Sequence, residues 1–401
     1  MSLDELLGAQ TVGRRTLLGA GAAALASGLG SPAVLAQSTA PVKVGVLLSF
    51  SSVFAALGDA NLNGMRLFFD QIGWTAGGRR IEIIKEDDQI NPQIGLQKLR
   101  KLVESDKVDI VCGPQASNVA MAMLEYVRQN RVFHLLSGAG VTAATRKQIP
   151  YLFRTSMSAW QHNHPFGEWF YDNLAKETVL TTSDFAGGRD VLNEFKASYT
   201  AKGGRVIKEI YAPLGTNDFS AYLADLASIA PPASFNGYAG TDAVRFVRQY
   251  AEYGLKDKTK LSGVGFGFES DTLPAEGAAA LGAYNPLHYA DTLDTPENKA
   301  FTTAYRESFN LYANCYAEYG FVTARVIAEI LNATGGDTTD KDRMADAVLK
   351  LRFNAPRGPV SWDPATHNVI QNVYIRQVVG IDARFTNRVV ATFPNVRDPG
   401  A

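Results

Sequence analysis

From residue 41 onward, short continuous apolar runs alternate with longer stretches whose apolar residues recur every three to four positions. The run Val42–Leu48 is typical of a strand buried on both faces, whereas Leu62, Met65 and Phe69 fall on one face of a helix. Strands that alternate with helices indicate a parallel sheet covered on both sides. The pattern predicts further strands at 81–85, 108–112, 132–136, 178–182, 205–211, 234–238 and 261–266, and helices at 58–72, 91–103, 118–129, 189–201, 219–229, 241–253, 300–309 and 316–331.

The alternation is interrupted at residues 149–155 and restarts at Thr178, which predicts two α/β lobes. From Gly358 the pattern favours antiparallel strands with a turn at Asp363-Pro364. We find no low-complexity linker, so we expect the chain to cross between the lobes more than once and to form a stiff hinge. The expected boundaries are residues 37–156 plus about 287–358 for lobe I, and 157–286 plus about 359–401 for lobe II.

The N-terminus has the layout of an export signal. Arg14 and Arg15 precede an apolar run that extends to Leu29, and Val34-Leu35-Ala36 offers a cleavage site. The paired arginines resemble a twin-arginine signal, so we predict that residues 1–36 direct export to the periplasm. The run is short and rich in glycine, which disfavours the alternative of a retained membrane anchor.

Composition limits the functions that the chain can have. The net charge of −1, with 46% hydrophobic and 20% charged residues, is typical of a folded globular protein and gives no field for nucleic acid or a membrane surface. The mature sequence contains no Gly-x-Ser-x-Gly nucleophile elbow and no phosphate-binding loop, so we expect neither catalysis nor a cofactor. His162 and His164 have no further ligands at metal-binding spacing, and no metal site is predicted. Cys112 and Cys315 are compatible with two free thiols or with a bridge.

Three turns that follow strands of the first lobe share small and hydroxylated residues, at 49–52, 113–118 and 137–142. Ligands of open parallel sheets bind at this edge, where backbone N–H groups and helix N-termini can hold a carboxylate without lysine or arginine. The alternative interpretation is that these residues only form turns and caps, with Ser117 as an N-cap.

Aromatic residues offer a second kind of contact. Trp160 and Gln161 follow the first crossover, where an indole can stack on a flat ligand, although a packed interface tryptophan is equally compatible. Phe54, Phe185 and Tyr319 are further candidates of the same kind.

The order and spacing of several segments resemble the periplasmic solute-binding proteins of branched-chain-amino-acid-type ABC transporters. The resemblance extends over residues 42–393 and implies a two-lobe fold with three interlobe crossovers, a ligand held between the lobes, and delivery to a membrane permease. We expect a monomer. The segments that carry the resemblance are 42–49, 58–65, 86–88, 107–114, 152–155 and 248–255.

Family positions imply that the ligand carboxylate is met by Ser117 and Asn118 and by Ala139, Gly140 and Thr142. Amino-acid binders carry an acid in the turn that matches residues 263–265, and this chain has none there, with Glu269 the nearest. Because a buried ammonium without a counter-charge is costly, the resemblance favours an acid without an amine. The aromatic family positions that match Leu57, Gly187 and Ala239 carry small or aliphatic residues here, and Gly265 is the ligand position in the turn that lacks the acid.

The segments Phe54–Gly58 and Trp160-Gln161 are similar to the branch of the family that binds benzoates, phenylacetates or cinnamates. We therefore predict an exported, non-enzymatic binding protein for a small aromatic carboxylate. Three alternatives stay open: an amino-acid binder that uses Glu269, an exported α/β enzyme, and a sensory ligand-binding module.

Overall fold

The computed structural model describes residues 40–146 and 149–400, so the predicted signal at 1–36 lies outside the described residues. These residues build two α/β lobes, each a largely parallel sheet covered by helices, which confirms the predicted fold class.

The first lobe contains a sheet of six strands among the described residues, in the order β2-β3-β1-β4-β5-β6. β1 lies between β3 and β4 and pairs parallel with both, while β2 alone runs antiparallel. The order reverses at β1, so the carboxyl ends of β1 and β4 border a crevice where ligands of open sheets bind. The strands are Val42–Leu48 (β1), Thr75–Ala76 (β2), Arg79–Asp87 (β3), Ile110–Cys112 (β4), His134–Leu136 (β5) and Leu152–Arg154 (β6).

The second sheet comprises nine strands of the described chain, and its path is β12-β13-β14-β11-β10-β9-β7-β8, with β15 also paired to β14. Strands β7 to β11 pair parallel with one another. Strands β12 to β15 pair antiparallel, as the sequence pattern after Gly358 predicts, and β14 joins them to β11. The strands are Glu177–Ser183 (β7), Arg205–Ala212 (β8), Ala233–Gly237 (β9), Lys260–Gly263 (β10), Tyr284–Leu287 (β11), Arg352–Ala355 (β12), Gly358–Trp362 (β13), Val369–Ile381 (β14) and Arg384–Val396 (β15).

Helices cover both sheets and contribute apolar stripes to their cores. Helices α1–α4 and α10–α12 pack in the first lobe, and α5–α9 pack in the second. The helices are Ala55–Gln71 (α1), Pro92–Arg100 (α2), Ser117–Gln129 (α3), Ala143–Arg146 (α4), Ala159–Asn173 (α5), Ala186–Ala201 (α6), Ser220–Ile229 (α7), Gly240–Glu252 (α8), Leu273–Glu276 (α9), Pro296–Phe309 (α10), Cys315–Thr334 (α11) and Lys341–Lys350 (α12).

The chain passes between the lobes after β6, after β11 and along β14. At the start of β14, Val369 packs in the same buried cluster as Val44 of β1, whereas Ile375 and Val378 farther along pack in the cores of the second lobe. Trp362 of β13 also packs with the first sheet. A strand that belongs to both cores suits a stiff hinge.

Two details follow from the described residues. No helix within 40–146 or 149–400 is both long enough and apolar enough to cross a membrane. Cys112 and Cys315 are both buried and free, so the alternative of a bridge between them does not hold.

Candidate functional site

A cavity lies between the lobes at the crevice that the first sheet's strand order defines. The space in it that protein atoms do not fill is about 530 Å³, a volume that includes the part open to solvent. Residues of both lobes form its wall, and none of them is charged. The wall consists of Phe54, Leu57, Gln115, Ala116, Ser117, Gly138, Gly140, Met157, Ala159, Phe185, Gly187, Gly188, Val191, Gly237, Ala239, Phe266 and Tyr316.

The helix N-termini at this cavity include those of α3 in the first lobe and α6 in the second. Ala116 is the N-cap of α3 and Phe185 is the N-cap of α6, and neither side chain accepts a hydrogen bond from the helix. The first turn of a helix has N–H groups without an intrahelical acceptor and a partial positive charge. Neither first turn contains an acidic residue. The N-terminal donors of both helices therefore remain available to an anion.

Five helices that begin elsewhere are capped by a side chain, whereas α1, α7, α8 and α9 are not. Side-chain oxygens of Asn91, Ser158, Thr295, Asn314 and Asp340 accept N–H bonds at the starts of α2, α5, α10, α11 and α12. A missing side-chain cap therefore does not by itself mark α3 and α6. Their donors bear on the site because their N-caps, Ala116 and Phe185, lie in the cavity wall on opposite lobes.

Polar side chains of the first lobe add to these donors. The hydroxyl of Ser117 makes no hydrogen bond within the described part of the chain, and the residue is only 6% exposed. Gln115 is equally buried, and its Oε1 has no partner among those residues. Burial raises the pKa of Tyr316 well above its usual value, so its phenol stays a hydrogen-bond donor. These polar side chains of the wall thus all come from the first lobe.

The rest of the wall is apolar and aromatic. Phe54 of the first lobe and Phe185 of the second approach each other, with ring centroids 6.3 Å apart at an angle of 60°. Val191 and Phe266 extend this surface. An aromatic ring can pack here edge-to-face or offset, which is the geometry that such rings prefer.

Gly187 makes room between the lobes. A Cβ at this position would lie 2.8 Å from Cε2 of Phe185 and 3.0 Å from Oγ of Ser117. Its backbone is not in the left-handed region, and glycine costs about 1 kcal/mol relative to alanine within a helix. The backbone conformation therefore does not require glycine here. The close packing of Phe185 and Ser117 does, because it leaves no room for a Cβ.

The turn after β5 is held by a buried arginine. Arg154, at the end of β6, donates to the carbonyl oxygens of Ala139, Val141 and Met157 and to Oδ1 of Asn368. These bonds fix the path of the turn, including Gly140 in the cavity wall. Burial lowers the pKa of Arg154 to about 10, which still leaves the guanidinium charged at neutral pH.

Of the residues selected from the sequence, the structure brings seven together in the wall: Phe54, Leu57, Ser117, Gly140, Phe185, Gly187 and Ala239.

Three others are not wall residues, and each makes at least one hydrogen bond inside the protein. Asn118 donates from Nδ2 to the carbonyl oxygen of Ile90 at 3.0 Å, while its buried Oδ1 has no partner among the described residues. The N–H of Ala139 donates to the carbonyl oxygen of Pro114 at 2.9 Å. Thr142 bonds to the side chain of Asp190 in the second lobe.

The remaining four residues lie outside the wall. Trp160 stacks on His164 of its own helix, with ring centroids 4.8 Å apart. Gln161 forms a capping box with Ser158 and is fully buried.

Gly265 and Tyr319 do not line the cavity and make contacts inside the protein instead. The carbonyl oxygen of Gly265 accepts a bond from Arg376 at 2.9 Å, and a Cβ there would meet the carbonyl oxygen of Pro286. Tyr319 stacks on His288, with ring centroids 4.5 Å apart.

Sequence reasoning did not select several wall residues. Gln115 and Ala116 stand in the turn of residues 113–118 that the pattern singled out, so that turn was the available signal. Met157, Phe266 and Tyr316 come from the crossover, the second lobe and the start of α11. Their convergence depends on how the lobes meet, and no local pattern indicates it.

Two α/β lobes joined by three connections, with a cavity of open helix N-termini between them, define a two-lobed solute-binding protein. The sequence matches the periplasmic binding protein family over residues 41–383. The chain belongs to this family and is a solute-binding protein of an ABC transporter.

Known relatives share nearly the full length of the chain. Leu/Ile/Val-binding protein homolog 6 of Brucella melitensis biotype 1 is 31% identical over 365 residues, which cover 90% of this chain and 93% of the relative. A solute-binding protein of an ABC transporter from Rhodopseudomonas palustris BisB5, solved with 3,4-dihydroxybenzoic acid, is 32% identical with a TM-score of 0.86. One from R. palustris in complex with benzoate is 31% identical with a TM-score of 0.85. Each alignment covers 90% of this chain and 99% of the solved one.

Proposed function

We propose that this protein binds a small aromatic carboxylate between its lobes and delivers it to a membrane permease. One observation carries the proposal: the open N-termini of α3 and α6 converge, from opposite lobes, on a cavity with aromatic walls and no charged side chain. Backbone N–H groups and helix dipoles stabilise a carboxylate. The rings of Phe54 and Phe185 offer a surface for a flat apolar group.

The same wall argues against an ordinary amino acid. An α-ammonium in this cavity would face no aspartate or glutamate, and a buried unpaired ammonium costs several kcal/mol. The two Rhodopseudomonas palustris proteins described above, whose ligands are a benzoate and a dihydroxybenzoate, support an acid that lacks the amine.

Binding would couple to closure of the lobes. Closure removes water from the cavity and strengthens the hydrogen bonds to the carboxylate. It also creates a surface that a permease can distinguish from the open form. In this account the protein is a monomer without catalytic activity, and a bound acid is recovered chemically unchanged after incubation. Turnover of the acid would favour the enzyme alternative.

A thermal-shift screen tests the ligand class. A ligand that binds only the folded protein raises its unfolding free energy by RT ln(1 + [L]/Kd), about 2.7 kcal/mol at one hundred times Kd. We expect benzoate and hydroxybenzoates to raise Tm and leucine, isoleucine and valine to leave it unchanged. The opposite pattern would contradict the proposal.

We further propose export by the twin-arginine route, on the strength of Arg14 and Arg15 before the apolar run. In a host with an active twin-arginine pathway, the double substitution Arg14→Lys and Arg15→Lys should leave the precursor in the cytoplasm. Unchanged delivery to the periplasm would point to another route.

A further inference from the structure

Thr142 of the first lobe and Asp190 of the second are joined across the cleft. Both the backbone N–H and the hydroxyl of Thr142 donate to Oδ2 of Asp190, at 2.8 and 2.9 Å. Thr142 follows β5, and Asp190 lies in the second turn of α6, 48 residues farther along the chain. Hydrogen bonds that end on a carboxylate are roughly twice as strong as neutral ones.

A second contact lies beside the first. Arg146 of α4 approaches Glu194 of α6, with Nη2 and Oε1 3.8 Å apart, and the hydroxyl of Thr142 lies 3.5 Å from the same carboxylate. Asp190 and Glu194 are four residues apart and lie on the same face of α6. The two acidic side chains of one helix in the second lobe thus meet donors from one segment of the first.

Neither Thr142 nor Asp190 belongs to the cavity wall. The N–H and hydroxyl of Thr142 could bind a ligand carboxylate, but here both donate to the carboxylate of Asp190. The bonds can therefore form whatever the cavity contains. Their free energy would favour the closed arrangement of the lobes and would not depend on the chemistry of the ligand.

We propose that Asp190 is an affinity-determining residue that acts through lobe closure: its bonds to Thr142 latch the lobes and raise the affinity for every ligand by the same factor. Apparent affinity is the intrinsic affinity multiplied by the fraction of protein in the binding-competent state. Loss of the latch lowers that fraction. It leaves the contacts between cavity and ligand unchanged, so selectivity among ligands is retained.

Calorimetry on Asp190→Ala with benzoate and with 4-hydroxybenzoate tests the effect on affinity. We expect both dissociation constants to rise by at least about tenfold and by the same factor, since two hydrogen bonds to a charged acceptor are lost. Asp190→Asn keeps an acceptor without the charge and should give a smaller loss. Asp184→Ala is the control. Asp184 lies just before the same helix, and within the described chain its carboxylate pairs with Arg189 at 2.7 Å. This variant should bind both acids as the parent does.

Closure is measured separately, without ligand. Fluorophores on Arg128→Cys in α3 and Arg205→Cys in β8 report the distance between the lobes, because both arginines are more than half exposed and the native Cys112 and Cys315 are buried. Asp190→Ala should lengthen the mean distance, and Thr142→Val should do so less, because its backbone N–H remains. Circular dichroism should show the same fold.

An unchanged distance and unchanged dissociation constants in Asp190→Ala would overturn the proposal. A loss for one acid only would also overturn it, since it would place Asp190 in contact with the ligand. The latch rests on the two-lobed binding function and not on the ligand class. If neither acid binds the parent protein, the proposed ligand fails, while the ligand-free distance still decides whether the latch exists.

Discussion

Arg376 donates from Nη1 to Oε1 of Glu269 across 2.7 Å, and both side chains are almost fully buried. The other carboxylate oxygen of Glu269 accepts the N–H of Cys315, also at 2.7 Å. Both oxygens are therefore used inside the protein, and Glu269 does not belong to the cavity wall. Glu269, the acid that an amino-acid binder would need to pair with the ligand's ammonium, is instead paired with Arg376.

Glu269→Gln should therefore leave ligand affinity almost unchanged and lower stability. The substitution leaves the buried guanidinium of Arg376 without a counter-charge, which costs about 3 kcal/mol or more. Glutamine keeps an acceptor for the N–H of Cys315. Denaturant unfolding should show the loss in free energy, and calorimetry with benzoate should show a dissociation constant within about threefold of the parent's. Abolished binding in a folded Glu269→Gln protein would favour the amino-acid alternative.

Ser117→Ala should weaken binding of an aromatic acid by about tenfold, because the hydroxyl faces the cavity and a hydrogen bond to a charged group is worth about 1.5 kcal/mol or more. Stability should hardly change, since this hydroxyl caps no helix. The matched control is Thr295→Ala, which removes the cap of α10 and should lower the unfolding free energy by about 1 kcal/mol without affecting affinity. Equal affinity in Ser117→Ala would remove Ser117 from the site.

Gly187→Ala should lower the affinity for aromatic acids and have little effect on stability. The new methyl group would crowd Phe185 and Ser117, so affinity for aromatic acids should fall, and more for ring-substituted acids than for benzoate. Alanine is the better helix former, which offsets the cost of moving the Phe185 ring, so the unfolding free energy of the ligand-free protein should change by less than about 1 kcal/mol. Gly380→Ala, where a Cβ meets nothing within 4 Å, is the control. Calorimetry that shows unchanged affinities for all acids would contradict the assignment of Gly187.

His134 should make the protein sensitive to acid. It is fully buried in β5, where its Nε2 lies 2.6 Å from the carbonyl oxygen of Gly113, and burial lowers its pKa from 6.5 to about 4. The unfolded chain therefore takes up a proton near pH 6.5 that the folded chain refuses until near pH 4. The stabilising contribution is complete above pH 6.5 and is lost as pH falls toward 4, by up to about 1.4 kcal/mol per pH unit.

The comparison that isolates this residue is His134→Gln, which keeps a donor for Gly113. Burial also lowers the pKa of His162 and His288, so the parent should lose stability more steeply than one proton allows. Unfolding free energies measured between pH 4 and 7 should show a shallower slope for the variant. Identical slopes would mean that His134 does not titrate as its burial implies.

The sequence pattern predicts the parallel strands well because strands buried on both faces are continuous apolar runs, as in β1. It misses α5, which contains Pro165, a residue that normally interrupts helices. The pattern also misses α12, because the apolar stripe of this helix consists only of Met344, Ala347 and Val348.

Part of the site could be predicted for a similar reason. Ser117 and Gly140 follow strands of the parallel sheet, and the strand-end rule selects them. The partner of Thr142 could not be predicted, because Asp190 lies in the other lobe and no local pattern indicates which side chains meet on closure. Trp160 shows the same limit, since its indole packs on His164 within its own helix.

The central claim is that the cavity accepts an aromatic carboxylate without an amine. Isothermal titration calorimetry of the mature protein with benzoate, benzamide and leucine tests it most directly. Benzamide keeps the ring but lacks the negative charge. We predict tight binding of benzoate, at least tenfold weaker binding of benzamide, and no heat with leucine. Tight binding of leucine with no response to benzoate would contradict the account.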